Sequence, residues 1–406
     1  MIIMNRDREI LRQLATEVAE IAASPGMTKL KEDWKQHNAL QSPRPMICVS
    51  PEGSWREIIT EKDLLCEDEL MRSFERVLRM KIYWATGIGD DTPISEYFNV
   101  PYQVKETPYL LGMDDVEQRV SDTGSFHYKV MIDDLEEGLE KLRFRKVTMD
   151  RQESERKLSA AQESFGDILK VRHRGQFWWT LGITAEVIKL IGLEALMIDM
   201  YEDPDGLHRL MAWFRDEHLN LMNQYESLGI LSLNNEDDLI ASGGIGYTDE
   251  LPEGNGPLSY RDLWGFSESQ ETVGISPQMF GEFIFPYQLP MLERFGINCY
   301  GCCEPVEGRW EWIKTIPRLR RISVSPWSNK EQMADLLGKD YIFSRKPNPS
   351  YVCCGFNEEA IKKELKETLS LAPKLNLEII LKDTHTLENH PERLRKWMEV
   401  ARKIAG

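Results

Sequence analysis

From residue 230 onward, short apolar runs rich in β-formers alternate with amphipathic stretches, and little chain is spent between them. "ILSLNN" (230–235) reads as a strand. "SPQMFGEFIFPYQLPMLERFG" reads as a helix kinked by its prolines. "INCYGC", "RISVSP", "YIFSRK" and "LEIILKD" then read as strands, each followed by a helix: 307–316, 329–338, 357–372 and 391–404. Repeated strand–helix units with short connections require a parallel sheet with right-handed crossovers. Adding "PMICVS", "ILKVRH" and a strand within 175–200 brings the count to roughly eight, the number in a (β/α)8 TIM-type barrel. An open doubly wound sheet is the structural alternative, but no Gly-x-Gly-x-x-Gly follows any strand, so a dinucleotide site has no support.

The first half is less regular. A polar helix near 5–23, an acid-started helix in "CEDELMRSFERVLRMKIYW" and a further one in "DRQESERKLSAAQESFGDIL" flank a loop-and-hairpin region at 86–130. "DPDGLHRLMAWFRDEHLNLMNQYESLG" is a long helix with Asp203 as N-cap and Gly229 as its stop. Residues 1–150 therefore form a mixed N-terminal extension with the first barrel elements, and 151–406 the main part of the barrel. Lys and Arg number 50 against 67 Asp and Glu, a net charge of −17 that disfavours nucleic acid and anionic membrane as partners. Nowhere do about 18 to 20 apolar residues run together, as a membrane span needs. Seven cysteines, with two adjacent pairs, suit a disulfide framework badly and a reducing cytoplasm well.

In a barrel of this kind the chemistry lies where strands end and helices begin. Those junctions carry Asn234 to Asp238, then Cys302-Cys303-Glu304, Ser325-Pro326-Trp327, Arg345 to Pro349, and Lys382-Asp383-Thr384-His385. Capping of helix N-termini accounts for the Asn, Asp and Ser residues. It does not account for a thiol pair, a lysine and a histidine. Strand alternation puts Tyr300, Cys302 and Glu304 on one face and Cys299, Gly301 and Cys303 on the other. Cys302, Glu304 and His385 are then three candidate zinc ligands, the number a catalytic zinc site uses. The bland alternative is packed thiols and a hydrogen-bonding histidine. A second candidate set, Asp91, Glu106 and His127, lies in the loop-rich region, where such carboxylates are ordinarily turn or surface residues. No Gly-x-Ser-x-Gly, Walker loop or His-Glu-x-x-His occurs, which removes the commonest hydrolase, nucleotidase and protease readings.

The ordered set "SPQMFGEFIFPYQLPMLERFG", "YGCCEP", "LRRISVSPW", "KPNPS" and "ILKDTHT…PERLRKW" resembles the uroporphyrinogen decarboxylase superfamily, and within it the corrinoid-dependent methyltransferase branch of anaerobic bacteria. The resemblance spans roughly residues 165–404 and implies a (β/α)8 barrel. It implies a zinc-assisted transfer of a methyl group from a small methoxylated or methylamine-type donor to a corrinoid (cobalamin) carried by a partner protein. Glu304, Lys382 and Asp383 would serve as general acid or orient the substrate. Two departures narrow the reading. The Arg-Gln-Ala-Gly-Arg segment of the decarboxylases is replaced by "RPMICVSPEGSW", which argues against a polycarboxylate tetrapyrrole. Tyr300 stands where thiol-methylating members carry the histidine of His-x-Cys, Cys302 matches the cysteine, and His385 falls near the late cysteine. Ether-cleaving relatives use Glu, Glu and His, which keeps the Asp91–Glu106–His127 set open. A decarboxylase and a non-catalytic relative are the alternatives.

Overall fold

The computed structural model describes residues 2–112, 117–119, 126–175, 180–253 and 256–406. Its centre is a six-stranded sheet made of β1 (Met46–Val49), β2 (Trp264–Ser267), β3 (Ile297–Tyr300), β4 (Leu319–Val324), β5 (Ile342–Arg345) and β6 (Asn376–Leu381). The spatial order is β1–β6–β5–β4–β3–β2, and every pair is parallel. The first strand thus lies beside the last, and all six C-terminal ends point the same way.

Alternation along the strands divides the core. One face carries Ile47, Val49, Ile322, Val324, Phe343, Leu377, Ile379 and Leu381, which pack against helices through Leu337, Ile361, Leu365, Leu394 and Trp397. The other face carries Met46, Cys48, Trp264, Phe266, Ile297, Cys299 and Ile380. Each large apolar side chain removed from water in this way contributes about 1.5–3 kcal/mol. Helices Lys330–Leu337 and Glu358–Leu369 are started by Asn329 and Asn357, whose side chains accept from Gln332 N and Ala360 N. Asp203 likewise accepts from Gly206 N at the head of helix Pro204–Ser227.

The two free edges of the sheet are occupied without a ladder. Beyond β2, Leu181 N donates to Phe266 O at 2.8 Å. Beyond β1, Asp91 N donates to Ile47 O at 2.9 Å. The Asp91 and Asp90 carboxylates accept from Ile47 N at 2.8 Å and Val49 N at 2.7 Å. Carboxylate oxygens stand here where a neighbouring strand would supply carbonyls, so the backbone donors are satisfied without regular β geometry.

Three strand expectations change. "ILKVRH" does form a strand, Lys170–Arg174, but it pairs in parallel with Tyr97–Pro101 in a separate two-stranded sheet. That sheet and helices Ile2–Ala22, Glu69–Tyr83 and Arg151–Phe165 build a second core around Leu11, Val18, Phe74, Phe98 and Phe165. No strand lies among the described residues of 175–200, where Thr184–Glu202 is helical apart from Gly192. "ILSLNN" joins no ladder either. The Asn234 side chain instead takes both backbone groups of Trp264, donating to its O at 3.0 Å and accepting from its N at 2.9 Å. The strand the sequence did not reveal is β2, a short "WGFS" set in a stretch of glycines and polar residues. The long proline-bearing segment divides at Ile284 into helices Pro277–Phe283 and Phe285–Leu292. Among the described residues no helix is long and apolar enough to cross a membrane.

Candidate active site at the C-terminal edge of the sheet

Parallel strands of similar length deliver their following residues to one edge. β3 ends at Gly301, whose φ of +91° only glycine adopts without strain. That turn overrides the alternation expected from the sequence. Tyr300 points into the helix-facing core, while Cys302 swings to the other face and packs with Cys299. β6 ends in Lys382, on the same face as Glu378 and Ile380, and Asp383 follows at φ +57°. Glu52, after β1, also has a left-handed backbone, at φ +45°. Neither aspartate nor glutamate sits there without cost, and such strain gathers at functional positions.

The Lys382 ammonium is the hub. It donates to Cys302 Sγ at 3.3 Å and to Cys303 Sγ at 3.8 Å, and it lies 3.1 Å from Asp383 Oδ1. Cys302 Sγ is 3.6 Å from Cys303 Sγ and accepts from Ser242 Oγ at 3.5 Å. Cys303 Sγ also faces Asp383 Oδ2 at 3.6 Å. The hydrogen bond with Cys303 lowers the Cys302 thiol, burial opposes, and Lys382 and Ser242 lower it further, to about 7. That same bond and burial push Cys303 the other way. Burial disfavours the charge on Lys382, but the two sulfurs, Asp383 and Glu52 outweigh it and raise its pKa. Of the two thiols it is Cys302, beside the Lys382 ammonium, that ionises first.

Glu304 is part of the frame. It is fully buried, and its two oxygens accept from Ser269 N at 3.0 Å and Cys302 N at 2.9 Å, which fixes the turn carrying the thiols. Burial raises its pKa, against those N–H donors and Arg309. Glu268, after β2, is raised well above the usual range by burial and by Glu271 and Glu304. Thr180 Oγ1 donates to Glu268 Oε1 at 3.2 Å and lines a 280 Å³ cavity with Glu106, Arg145, Glu186, His218 and Tyr225.

The expected ligands Cys302, Glu304 and His385 do not converge. Among the described residues, the one trio of possible donors with ligand atoms within 4.8 Å of each other is Glu52, Asp383 and His385. His385 is largely exposed, with Nδ1 4.0 Å from Glu52 Oε2, while both Glu304 oxygens are committed to backbone donors. Zinc bonds thiolate sulfur at about 2.3 Å. On the inward side of Cys302 that place is filled by an ammonium which itself contacts both thiols and Asp383. A dication beside it would meet like charge with the sulfurs already satisfied. The sulfur donors therefore do not fit zinc.

The second set does not converge either. Asp91 is held by Arg44 at 2.7 and 3.1 Å, and Glu106 by Tyr225 Oη at 2.6 Å and Arg145 at 3.2 Å. The side chain of His127 lies outside the described residues.

A second ionic cluster lies deeper on the same face. Glu378 of β6 takes Arg321 NH2 at 3.1 Å and His37 Nε2 at 3.0 Å, along with the Ser344 hydroxyl. Arg321 also donates to Asn38 Oδ1 at 2.7 Å, and Lys346 donates to Ser344. Burial opposes the charge on Glu378, yet Arg321, His37 and Lys346 hold it well below the ordinary carboxylate range. Burial keeps His37 neutral and lowers Lys346 to about 8.

Sequence reading named Cys302, Glu304, Lys382, Asp383 and His385 but not Ser242, Glu52 or Glu268 as site residues. Glu52 was legible as the residue after "PMICVSP", a strand end like the others. Glu268 was hidden with β2, and Ser242 carries no local signal.

No protein-family model matches the chain, and no curated protein matches it. Among solved structures, a methyltransferase from Methanosarcina mazei is similar in fold, with a TM-score of 0.50 over 93% of this chain and 99% of that one. The two are 12% identical, so the likeness is one of architecture: a mixed α/β fold around a parallel sheet whose C-terminal edge carries the thiol–lysine cluster.

Proposed function

We propose that the chain is a methyltransferase that moves a methyl group from a small methoxylated or methylamine-type donor to a corrinoid carried by a partner protein. The observation that carries the reading is the cluster of Cys302, Cys303, Lys382 and Asp383 at the C-terminal edge of the sheet, in a fold similar to that of a methyltransferase. We read that fold as a closed (β/α)8 barrel, with residues 88–92 and 180–183 filling the gap between β1 and β2. The active edge is the end at which barrels of this kind do their chemistry. Seven free cysteines agree with a reducing cytoplasm.

In this reading the partner's corrinoid accepts the methyl group when bound, and the chain positions the donor and stabilises what leaves. Demethylation of an ether or amine leaves an alkoxide or an amine, which needs a positive charge or a proton. Lys382 is the buried cation of the site, and Asp383 fixes its ammonium. Glu304 holds the turn that places both thiols. Because the sulfur donors do not fit zinc, no step is routed through a thiolate-bound metal. Decarboxylation of a tetrapyrrole fits less well. Several carboxylates need several fixed cations, whereas the charge of Lys382 is already matched by Cys302 and Asp383.

The test is spectroscopic. A reduced corrinoid protein is mixed with the chain and a panel of methoxylated and methylated-amine donors, and the corrinoid absorbance is followed. Conversion to the methylated corrinoid with at least one donor is the expected result. Turnover of uroporphyrinogen with no donor accepted would replace this reading with the decarboxylase one.

A further inference from the structure

The three ammonium hydrogens of Lys382 have three partners, Cys302 Sγ, Cys303 Sγ and an Asp383 oxygen, and both Lys382 and Cys302 are almost wholly buried. A lysine presents three donors and no acceptor, so this arrangement uses all of its capacity. Its backbone is the continuation of β6, and Thr384 beside it is pinned on the β1 side by bonds from Thr384 Oγ1 to Ser50 O and from Ser54 N to Thr384 O. Cys302 is fixed just as firmly, through its N–H to Glu304 and its carbonyl to Ser323 Oγ at 2.9 Å. The geometry is built around a cation, and the cation belongs to the chain.

We propose that Lys382 supplies the positive charge of this site in place of a metal ion and holds Cys302 as a metal-independent nucleophile for a methyl-sized, soft alkyl electrophile. The step is a displacement. The Cys302 electron pair forms the S–C bond, the bond from carbon to the leaving atom breaks, and that atom departs with its pair. Cys303, the half-buried member of the pair, hydrogen-bonds the sulfur before attack and turns aside to admit an electrophile. Groups facing the pair are Asp383 and Glu52 from the β6 and β1 ends, Glu304 from β3, Glu268 from β2 and Lys346 from β5. The depressed Cys302 thiol is consistent with this arrangement. Only the identity of the natural electrophile rests on the methyl-transfer reading. The nucleophile itself does not.

The chelator-treated 406-residue chain and its Lys382→Met variant are exposed anaerobically to iodomethane at neutral pH. S-methylation of each of the seven cysteines is followed by peptide mass spectrometry. Cys302, as buried as Cys48, Cys66, Cys299 and Cys353, is expected to react ahead of all four because it alone is paired with an ammonium. In Lys382→Met it should react about tenfold more slowly, as its thiolate fraction falls toward that of an ordinary cysteine. The exposed Cys354 should react equally in both. Reaction of Cys302 no faster than Cys48, or indifferent to Lys382→Met in a folded variant, overturns the proposal. A second measurement needs no lysine variant: Co²⁺ is added to the parent and to Cys302→Ser. Superposable spectra are expected, and a thiolate-to-cobalt charge-transfer band lost in Cys302→Ser overturns the proposal. Neither measurement uses a corrinoid, so their failure is distinguishable from a failure of methyl transfer.

Discussion

Two ionic clusters share one face of β6, four residues apart, and they are built to opposite ends. At Glu378 the acid meets a guanidinium, an imidazole and a hydroxyl, all fully buried and all hard nitrogen or oxygen groups. At Lys382 the base meets two thiols and a carboxylate, and the cluster opens outward through half-buried Cys303 and Asp383 and exposed His385. The deeper cluster is sealed from solvent, and it ties β4, β5 and β6 to helix Pro25–Asn38 through Arg321, Ser344, Glu378, His37 and Asn38. The outer one holds a nucleophile beside a cation at the edge of the sheet. The difference teaches that burial of charge is not in itself a sign of function. The sign is a reactive atom whose charge state is set by a neighbour at the edge of the sheet.

The comparison breaks most visibly at the deeper cluster. Glu378→Ala would strand Arg321 without its counter-charge, and removing one partner of a buried pair costs about 3–5 kcal/mol. Urea unfolding should show a loss in that range, with folding itself abolished at the upper end.

A pH series sharpens the same contrast. The folded pKa of Glu378 is depressed. Its stabilising contribution is therefore full above the unfolded value of about 4.3 and is lost as pH falls toward the folded one. His37, kept neutral by burial, acts in the same direction. Below about pH 6.5 the unfolded chain binds a proton that the folded chain does not, so stability declines. Acid unfolding should begin below that point and steepen near pH 4. Glu378→Gln should flatten the lower limb. An unchanged acid limb would show that other carboxylates control it.

Next in size is Glu304→Gln. An amide offers one acceptor oxygen where the carboxylate offers two, so Ser269 N or Cys302 N loses its partner at a cost of about 1–3 kcal/mol. Thermal unfolding should register that loss. Methylation of Cys302 should slow as its turn loosens. The smallest effect belongs to Cys354→Ser. This exposed thiol touches neither cluster, and stability and methyl transfer should both stay within about 0.5 kcal/mol of the parent.

Much of this was legible in the sequence, and the parts that were not have specific causes. The strand–helix alternation found β1, β3, β4, β5 and β6, because each is a run of buried apolar residues closed by a polar turn. It placed Cys302, Lys382 and Asp383 together from the ends of two distant strands. It lost β2, four residues long, and mistook "ILSLNN" for its replacement. A side-chain pair from Asn234 to Trp264 does the work of a ladder there and leaves no periodic trace. The choice of ligands failed for a local reason. Alternation assumes extended backbone, and one left-handed glycine, Gly301, turned Cys302 away from Tyr300. Lys382 stands in the sequence as a general acid or a group that orients the substrate, and its contact with the two sulfurs is a feature that no spacing encodes.

The most direct test compares one substitution on two scales. Lys382→Met is measured for unfolding free energy and for the rate of corrinoid methylation with the best donor from the panel. The account predicts stability within about 1 kcal/mol of the parent, since the thiols become neutral once the ammonium is gone and an apolar chain replaces the aliphatic stem. It predicts a fall in methyl transfer of at least about a hundredfold, the scale on which a positioned electrostatic group acts. A variant that loses several kcal/mol of stability yet keeps its methyl-transfer rate would place Lys382 with Glu378 as a structural charge and contradict the account.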